Sequence, residues 1–296
     1  LKAARLRTLP LSISGIIVAA CLAKYNGVFD SVILVFAILT TLSYQILSNL
    51  ANDYGDGVKG TDNDQRIGPV RALQSGAITH QDMYKAIRLN VIICVVLTLI
   101  LLYVSFKAEY LWLALLFFVL AGISIYAAIK YTVGKKAYGY SGMGDLFVFI
   151  FFGLVGVLGT YFLLTKSFEL ILILPAITMG GFSTAVLNLN NMRDIKNDAE
   201  VGKNTLVVKI GSEKAKQYHY ALFFWAYLSF IMYAYFSYPM QSFLLLMIPI
   251  SIVALLHIIH LKKVASTINP KDFDPELKKI ALSSLLFSIL VYAITF

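Results

Sequence analysis

Nine long runs of apolar residues, separated by polar segments, set the pattern of this chain. Each run approaches the ~20 mostly apolar residues that an α-helix needs to cross a bilayer. Strands of a membrane β-barrel would be about ten residues long with alternating polarity, and the sequence lacks that pattern. The runs predict an all-α, polytopic membrane protein, a bundle of nine transmembrane helices near residues 9–25, 31–52, 84–106, 110–130, 144–165, 169–190, 214–236, 240–260 and 277–296.

The composition is that of a membrane protein, and the charge limits the classes of molecule that it is expected to bind. Of the 296 residues, 59% are hydrophobic and 14% are charged, whereas a soluble protein has about 25% charged residues. A net charge of +9 in a soluble protein would suggest nucleic acid. Here the basic residues lie between the apolar runs, so we expect anionic lipid headgroups and anionic substrates as partners, and no nucleic acid.

The distribution of lysine and arginine predicts how the chain crosses the membrane. If the N-terminus is cytoplasmic, nine spans place 22 basic residues on the cytoplasmic side and 3 on the other side. Such an imbalance is the positive-inside signal. We therefore expect a cytoplasmic N-terminus, a C-terminus on the opposite side, and a working face formed by the longer cytoplasmic loops.

The second apolar run ends in a cluster of amide and carboxyl side chains at a membrane boundary. They are Asn49, Asn52, Asp53, Asp56, Asp62 and Asp64. The spacing of three or four residues from Asn49 to Asp56 places those side chains on one face of a helix. Carboxylates near a helix C-terminus are unfavourable with the helix dipole and with each other, so cations must compensate them. Mg²⁺, Arg66 and Arg71 are the candidates.

The sixth apolar run ends in a second cluster, on the same predicted side of the membrane. Asn190, Asp194 and Asp198 have a similar spacing, and Lys203 follows them. Mg²⁺ prefers oxygen ligands and is commonly shared between carboxylates and the phosphates of a substrate. Two carboxylate clusters facing one cavity therefore suit Mg²⁺ ions that clamp a diphosphate, with arginine and lysine completing the clamp.

A single aspartate-rich loop is usually only a solvated loop, and Asp62 and Asp64 suit a simple turn. Two such clusters at the ends of membrane helices on one face favour function, because ionisable residues at a membrane are costly. The similarity of the two clusters also predicts a pseudo-repeat of helices one to four and five to eight, plus helix nine, within a single domain 1–296.

A basic and aromatic loop follows the fourth run and has two interpretations. It contains Tyr131, Lys135 and Tyr140. Tyrosines and lysines of this kind are common at the cytoplasmic membrane interface, where they need no catalytic role. Alternatively, Lys135 contacts a diphosphate and the tyrosine rings stabilise a cation.

The segments around these residues resemble the UbiA superfamily of intramembrane prenyltransferases. The two aspartate motifs are those that define that superfamily. Within it, the stretches LSNLANDYGD (47–56) and YGYSGMGD (138–145) are most similar to the branch that uses 1,4-dihydroxy-2-naphthoate in menaquinone synthesis. The resemblance extends over nearly the whole chain, and the last three helices carry the least of it.

This resemblance implies Mg²⁺-dependent transfer of a polyprenyl group from polyprenyl diphosphate to 1,4-dihydroxy-2-naphthoate, with loss of CO₂, in a bacterial cytoplasmic membrane. The implied metal ligands are Asn49, Asp53, Asp56, Asp194 and Asp198, of which the four aspartates are also the implied catalytic residues. The expected diphosphate contacts are Asn190, Arg66, Arg71, Lys135 and Lys203. The residues expected to shield the allylic cation are Tyr131 and Tyr140.

Three other functions compete with this one. A 4-hydroxybenzoate polyprenyltransferase of ubiquinone synthesis would share the chemistry and differ only in the acceptor. The CDP-alcohol phosphotransferases also cluster aspartates in membranes, but their signature matches only its first residues here, from Asp53 to Gly57. A transporter would place ionisable residues near the membrane midplane, in broken helices, whereas these carboxylates gather at one end.

Overall fold

The computed structural model describes residues 2–63 and 66–295. Within these residues the chain is helical without any β-strand, and nine helices are long and apolar enough to cross a membrane. They are α1 (Leu9–Tyr25), α2 (Ser31–Val58), α3 (His80–Phe106), α4 (Leu111–Lys130), α5 (Gly144–Thr165), α6 (Ile173–Glu200), α7 (Ser212–Ser237), α8 (Met240–Ser266) and α9 (Asp274–Ile294). The prediction of a nine-helix membrane bundle is confirmed.

Helices α2 and α3 begin at residues whose side chains cap them. The side chain of Asp30 accepts hydrogen bonds from the backbone N–H groups of Val32 and Ile33, at 2.8 and 3.1 Å, at the start of α2. Thr79 does the same for the N–H of Asp82 at the start of α3, at 3.1 Å. Such caps satisfy backbone donors that a helix start leaves without partners.

Two helices are longer than predicted, and this corrects the expected position of the aspartate motifs. The hydrophobic pattern ends α2 near residue 52 and α6 near residue 190, yet these helices continue to Val58 and Glu200. The four aspartates of the two motifs therefore lie in the last turns of helices, not in loops. Cations beside the carboxylates offset the unfavourable helix dipole, so the polar turns stay helical.

Helix α6 lies near the centre of the bundle, and α4 lies at its edge. Most of the side chains of α6 are buried, and it packs against α7, α5 and α9. Glycine allows a close approach here, since a Cβ on Gly153 of α5 would lie 2.5 Å from the backbone oxygen of Ala176 on α6. The second aspartate motif therefore lies on a helix that is mostly buried in the bundle.

The middle of α5 is a π-helix over Phe149–Gly159, between α-helical ends at Gly144–Val148 and Thr160–Thr165. π-helical turns are rare and are frequent at functional sites, because they rotate side chains out of the α-helical register. Several residues of this segment line the larger cavity described below.

A buried chain of hydrogen bonds ties α6 to the last three helices. His219 on α7 contacts Asn188 on α6 at 3.1 Å and His260 on α8 at 2.9 Å, and His260 contacts Glu276 on α9 at 2.6 Å. Buried polar groups are costly unless they are paired, so this network favours one arrangement of these four helices.

Candidate active site

The aspartates of the two motifs converge at one end of the bundle. Asp53 and Asp56 come from α2, and Asp194 and Asp198 from α6. Asp62 follows α2, and all five are buried; Asp53 is 1% exposed and Asp194 is 4% exposed. Asp64 lies outside the described residues. Bringing this many carboxylates out of water is unfavourable without cations.

Two cations connect carboxylates that come from the two distant parts of the chain. Arg66 Nε lies 3.1 Å from Asp62 Oδ1, and its Nη2 lies 3.5 Å from Asp194 Oδ2. Lys203 Nζ lies 3.8 Å from Asp56 Oδ2 and 3.7 Å from Asp198 Oδ1. Arg66 and Lys203 thus join the α2 side of the cluster to the α6 side, as one site requires.

Arg71 completes the α2 side of the cluster. Its Nε lies 3.6 Å from Asp53 Oδ1 and 3.8 Å from Asp62 Oδ1. Three of the four predicted cations, Arg66, Arg71 and Lys203, are therefore brought to the aspartates.

Two arginines that sequence reasoning counted only as cytoplasmic charge belong to this cluster. Arg5 donates to Asp53, and its backbone is in the left-handed region with φ of 49°, which is uncommon outside glycine and often marks functional positions. Arg193 is fully buried, and its guanidinium contacts both oxygens of Asp194, at 3.0 and 2.6 Å. It also donates to Asp274 of α9 at 2.5 Å.

The ionisation of the groups outside the helices follows from their neighbours. Burial acts to lower the pKa of Lys203, but Asp56 and Asp198 outweigh it and hold that pKa above its ordinary value. Lys203 is therefore charged at neutral pH. Burial, assisted by Asp56, raises the pKa of Asp62.

The predicted asparagines have partners that explain their positions. Asn49 Nδ2 donates to the backbone oxygen of Ala4 at 2.9 Å and to Thr8 Oγ1 at 3.1 Å, so it holds the N-terminal segment against α2. Asn190 Oδ1 accepts a hydrogen bond from Arg193 at 2.8 Å. Asn49 thus acts on the segment that carries Arg5, and Asn190 on the arginine that contacts Asp194.

The basic and aromatic loop is only partly brought to the site. Tyr131 is half-buried and lines both cavities described below. The hydroxyl of Tyr140 donates to Asp56 at 2.8 Å, but its ring lies under Lys59 and lines neither cavity. Lys135 is exposed and is likewise absent from the cavity walls; its role as a diphosphate contact stays a prediction that this geometry does not favour.

Two cavities meet beside the aspartates. A polar cavity of about 170 Å³ has walls that include Asp56, Asp194, Asp198, Arg5, Arg66, Arg71 and Lys203. A mostly apolar cavity of about 580 Å³ extends from Asn49 and Asn52 between α2, α3, α4 and α5, as far as Phe117 and Leu163. A ligand with an anionic head and a long apolar tail therefore fits the pair of cavities better than either cavity alone.

The carboxylates fit Mg²⁺ only if a substrate supplies further ligands. Among the described residues no three acidic, histidine or cysteine side chains are grouped closely enough to hold one ion. Both oxygens of Asp62 are buried without a hydrogen bond, and only Oδ1 has ion pairs, with Arg66 and Arg71, so Oδ2 can still bind an ion. Mg²⁺ is usually bound by one or two carboxylates together with phosphates and water, which suits this donor set. Arg5 and Arg71 both lie against Oδ1 of Asp53, so an ion at that oxygen would compete with them.

Solved structures share this fold. A structure described as the apo form of a UbiA homolog from Aeropyrum pernix K1 aligns with a TM-score of 0.69 at 15% identity, covering 98% of this chain and 97% of that one. A UbiA homolog from Archaeoglobus fulgidus, bound to DMAPP and Mg²⁺, aligns with a TM-score of 0.61 at 13% identity, covering 100% of this chain and 99% of that one.

Sequence relatives are closer. The chain is 46% identical, over 224 residues that make up 75% of it and 71% of the relative, to 1,4-dihydroxy-2-naphthoate octaprenyltransferase of Escherichia coli (strain K12). It is 39% identical over 291 residues, 98% of this chain and 92% of the relative, to the protein of the same name from Haemophilus influenzae. Residues 13–273 match the model of the UbiA prenyltransferase family. The resemblance seen in the two aspartate motifs is confirmed, and the chain belongs to the UbiA prenyltransferase family.

Proposed function

We propose that this chain transfers a polyprenyl group from polyprenyl diphosphate to 1,4-dihydroxy-2-naphthoate, with loss of CO₂ and formation of demethylmenaquinol. One observation carries the proposal. A charged cavity, lined by aspartates from α2 and α6 together with arginine and lysine, meets an apolar cavity of about 580 Å³ inside the membrane bundle. The names of the bacterial relatives support the naphthoate as acceptor.

The charged cavity binds the diphosphate. Asp53, Asp56, Asp194 and Asp198 are the residues that would hold Mg²⁺, with Asn49 and Asn190 keeping their helices in place. Arg66, Arg71 and Lys203 lie in the cavity walls, where they bind the diphosphate oxygens and favour the charge that develops on them as pyrophosphate leaves. Bound Mg²⁺ would neutralise further charge on the leaving group.

The apolar cavity binds the polyprenyl tail and keeps water from the reacting carbon. The bond between the allylic carbon and the diphosphate oxygen breaks, and its electron pair leaves with pyrophosphate. A carbon of the electron-rich naphthoate ring supplies the pair for the new carbon–carbon bond. The carboxylate departs as CO₂, and the pair from that bond restores the aromatic ring. Tyr131 borders both cavities, and its aromatic ring would stabilise the allylic cation that forms there.

The test uses purified full-length protein in detergent with octaprenyl or geranyl diphosphate and Mg²⁺, and reads the products by mass spectrometry. The dihydroxynaphthoate should be prenylated and should lose its carboxylate as CO₂, whereas 4-hydroxybenzoate should not be a substrate. Activity should disappear with EDTA and return with Mg²⁺. Turnover of 4-hydroxybenzoate alone would assign the chain to the ubiquinone pathway, and EDTA-resistant turnover would rule out the metal.

The nine apolar helices make this a multi-pass membrane protein. The excess of lysine and arginine at the end that carries the aspartates supports a cytoplasmic N-terminus and a cytoplasmic site in a bacterial inner membrane, with the C-terminus on the other side. Soluble acceptor and pyrophosphate would then exchange directly with the cytoplasm.

A further inference from the structure

The two cavities share part of their walls, and the shared part marks where the acceptor ring must lie. The bond that breaks joins the diphosphate to the tail, so it lies where the charged cavity meets the apolar one. Six residues line both cavities: Gln45, Asn52, Tyr131, Val148, Phe152 and Leu187. If the proposed function holds, on which this inference rests, the aromatic acceptor reaches the allylic carbon among these six side chains.

The two amide side chains among the shared residues differ in their hydrogen bonds. Asn52 Oδ1 lies within 3.4 Å of the hydroxyl of Thr132, which donates to it. Gln45 Nε2 donates to Thr8 Oγ1 at 3.3 Å and to Asn49 Oδ1 at 3.2 Å. Gln45 Oε1 makes no hydrogen bond with any described residue, yet it is not among the buried side-chain atoms that lack a partner, so it keeps accessible surface on a residue that lines both cavities. It is a neutral acceptor oxygen that a ligand can reach.

The hydrogen-bonding properties of Gln45 Oε1 determine which substituent of the acceptor ring it can bind. An amide oxygen accepts a hydrogen bond and repels a carboxylate, so it suits a ring hydroxyl and not the acid group of the naphthoate. Gln45 also lies one turn before Asn49 and two turns before Asp53 on α2, which places it on the tail side of the metal-binding end. A ring held there by a hydroxyl has its reactive carbons next to the junction of the two cavities.

We infer that Gln45 is a specificity-determining residue that accepts a hydrogen bond from a ring hydroxyl of the aromatic acceptor. The competing explanation is structural, because the hydrogen bonds from Nε2 to Thr8 and Asn49 also hold the N-terminal segment on α2. The two roles differ in what they predict for acceptors that lack a hydroxyl.

The test combines protein variants with acceptor analogues in a double cycle. Inhibition constants are measured for 1-hydroxy-2-naphthoate and 4-hydroxy-2-naphthoate, each lacking one hydroxyl, against turnover of the dihydroxynaphthoate. In the wild type, loss of the recognised hydroxyl should weaken binding by about tenfold. In Gln45→Met the KM for the dihydroxynaphthoate should rise by about tenfold. In that variant, removing the same hydroxyl from the acceptor should not weaken binding any further. The KM for the prenyl diphosphate should change by less than about twofold.

Two variants serve as controls. Thr8→Val removes a hydrogen bond that holds the N-terminal segment and keeps the Gln45 amide, so it should alter all acceptors by one common factor. Ser43→Ala changes a buried hydroxyl on α2 that lines neither cavity and should leave every constant unchanged. If Gln45→Met does not fold, as judged by gel filtration in detergent, Gln45→Asn replaces it, since this change withdraws the amide by one methylene group.

The outcomes are distinct. The inference is overturned if the analogue without the recognised hydroxyl still binds about tenfold more weakly in Gln45→Met. It is also overturned if Gln45→Met weakens all acceptors by one common factor, as Thr8→Val does. Either result leaves the proposed function intact. A wild-type protein that does not turn over the dihydroxynaphthoate at all would instead overturn the proposed function.

Discussion

Lys203 shows how a single side chain can join two distant parts of the chain. Its ammonium group lies between Asp56 of α2 and Asp198 of α6, and those carboxylates hold its pKa above the ordinary value, so its charge persists at neutral pH. The ammonium group can bind a diphosphate oxygen once Asp56 and Asp198 coordinate Mg²⁺ instead.

Lys203→Met should therefore lower kcat by about a hundredfold, as expected for the loss of one preorganised charge at a leaving group. Lys196→Met is the matched control, because Lys196 is exposed on the outer face of the same end of α6, and it should retain activity within about twofold. Steady-state kinetics of the two variants decide the point. Equal losses, or no loss in Lys203→Met, would remove Lys203 from the diphosphate site.

The residues that sequence reasoning identified and those that it missed differ in one respect. The aspartates stand out because ionisable groups at the ends of apolar runs are rare and costly. Arg193 was counted only as cytoplasmic charge, since neither its complete burial nor its contact with Asp274, 81 positions away, can be read from a local pattern. Arg5 was missed for the same reason, because its partner Asp53 is 48 positions away.

At the scale of elements, apolar runs predicted which segments cross the membrane, but not where each helix ends. Hydropathy falls once polar residues begin, yet α2 and α6 continue beyond that point to Val58 and Glu200. Among the cations that offset these carboxylates are Arg5, Arg66 and Arg71, which come from other segments and which hydropathy does not connect to the helix ends. The π-helical part of α5 was also not predicted, since its composition is that of any apolar span.

Gly55, between the aspartates of the first motif, sets how closely α2 approaches the turn after α4. A Cβ at this position would lie 2.5 Å from Thr132 Oγ1 and 2.7 Å from the backbone carbonyl carbon of Thr132. Gly55→Ala should displace that turn, and with it Tyr131, and destabilise the protein by about 1–3 kcal/mol, as overpacking does.

Gly122→Ala in α4 is the control, because an added Cβ there meets no atom within 4 Å, and alanine favours a helix more than glycine does. Apparent Tm in detergent and kcat are measured for both variants. A Gly55→Ala protein with the Tm and turnover of Gly122→Ala would show that this contact between α2 and the turn is not required.

At the scale of the whole molecule, the sequence was sufficient for the class of fold and the family, because nine hydrophobic spans and two aspartate motifs are properties of the chain itself. The two meeting cavities were not predictable in the same way. They arise from side chains of several helices together, and their shape depends on packing. The proposed pseudo-repeat of helices one to four and five to eight stays a prediction.

The orientation of the bundle can be measured with single cysteines, since Cys21 and Cys94 are both buried. Glu109 lies exposed between α3 and α4, and Lys271 lies exposed between α8 and α9. In spheroplasts a membrane-impermeant maleimide should label Glu109→Cys at once and Lys271→Cys only after the membrane is permeabilised, as the positive-inside rule predicts. The opposite order of labelling would place the aspartates outside the cytoplasm.

The central claim is that carboxylates of α2 and α6 together bind one diphosphate through Mg²⁺. Isothermal titration of an unreactive substrate, geranyl thiodiphosphate, tests it directly on wild type, Asp56→Asn, Asp198→Asn and the double variant. Each single substitution should weaken Mg²⁺-dependent binding by at least about tenfold, and the double variant should be little weaker than either, because residues that act as a unit are not additive. Two results would contradict a site shared by α2 and α6. One is a single variant that binds the thiodiphosphate with full affinity. The other is a double variant whose loss of affinity equals the product of the two single losses.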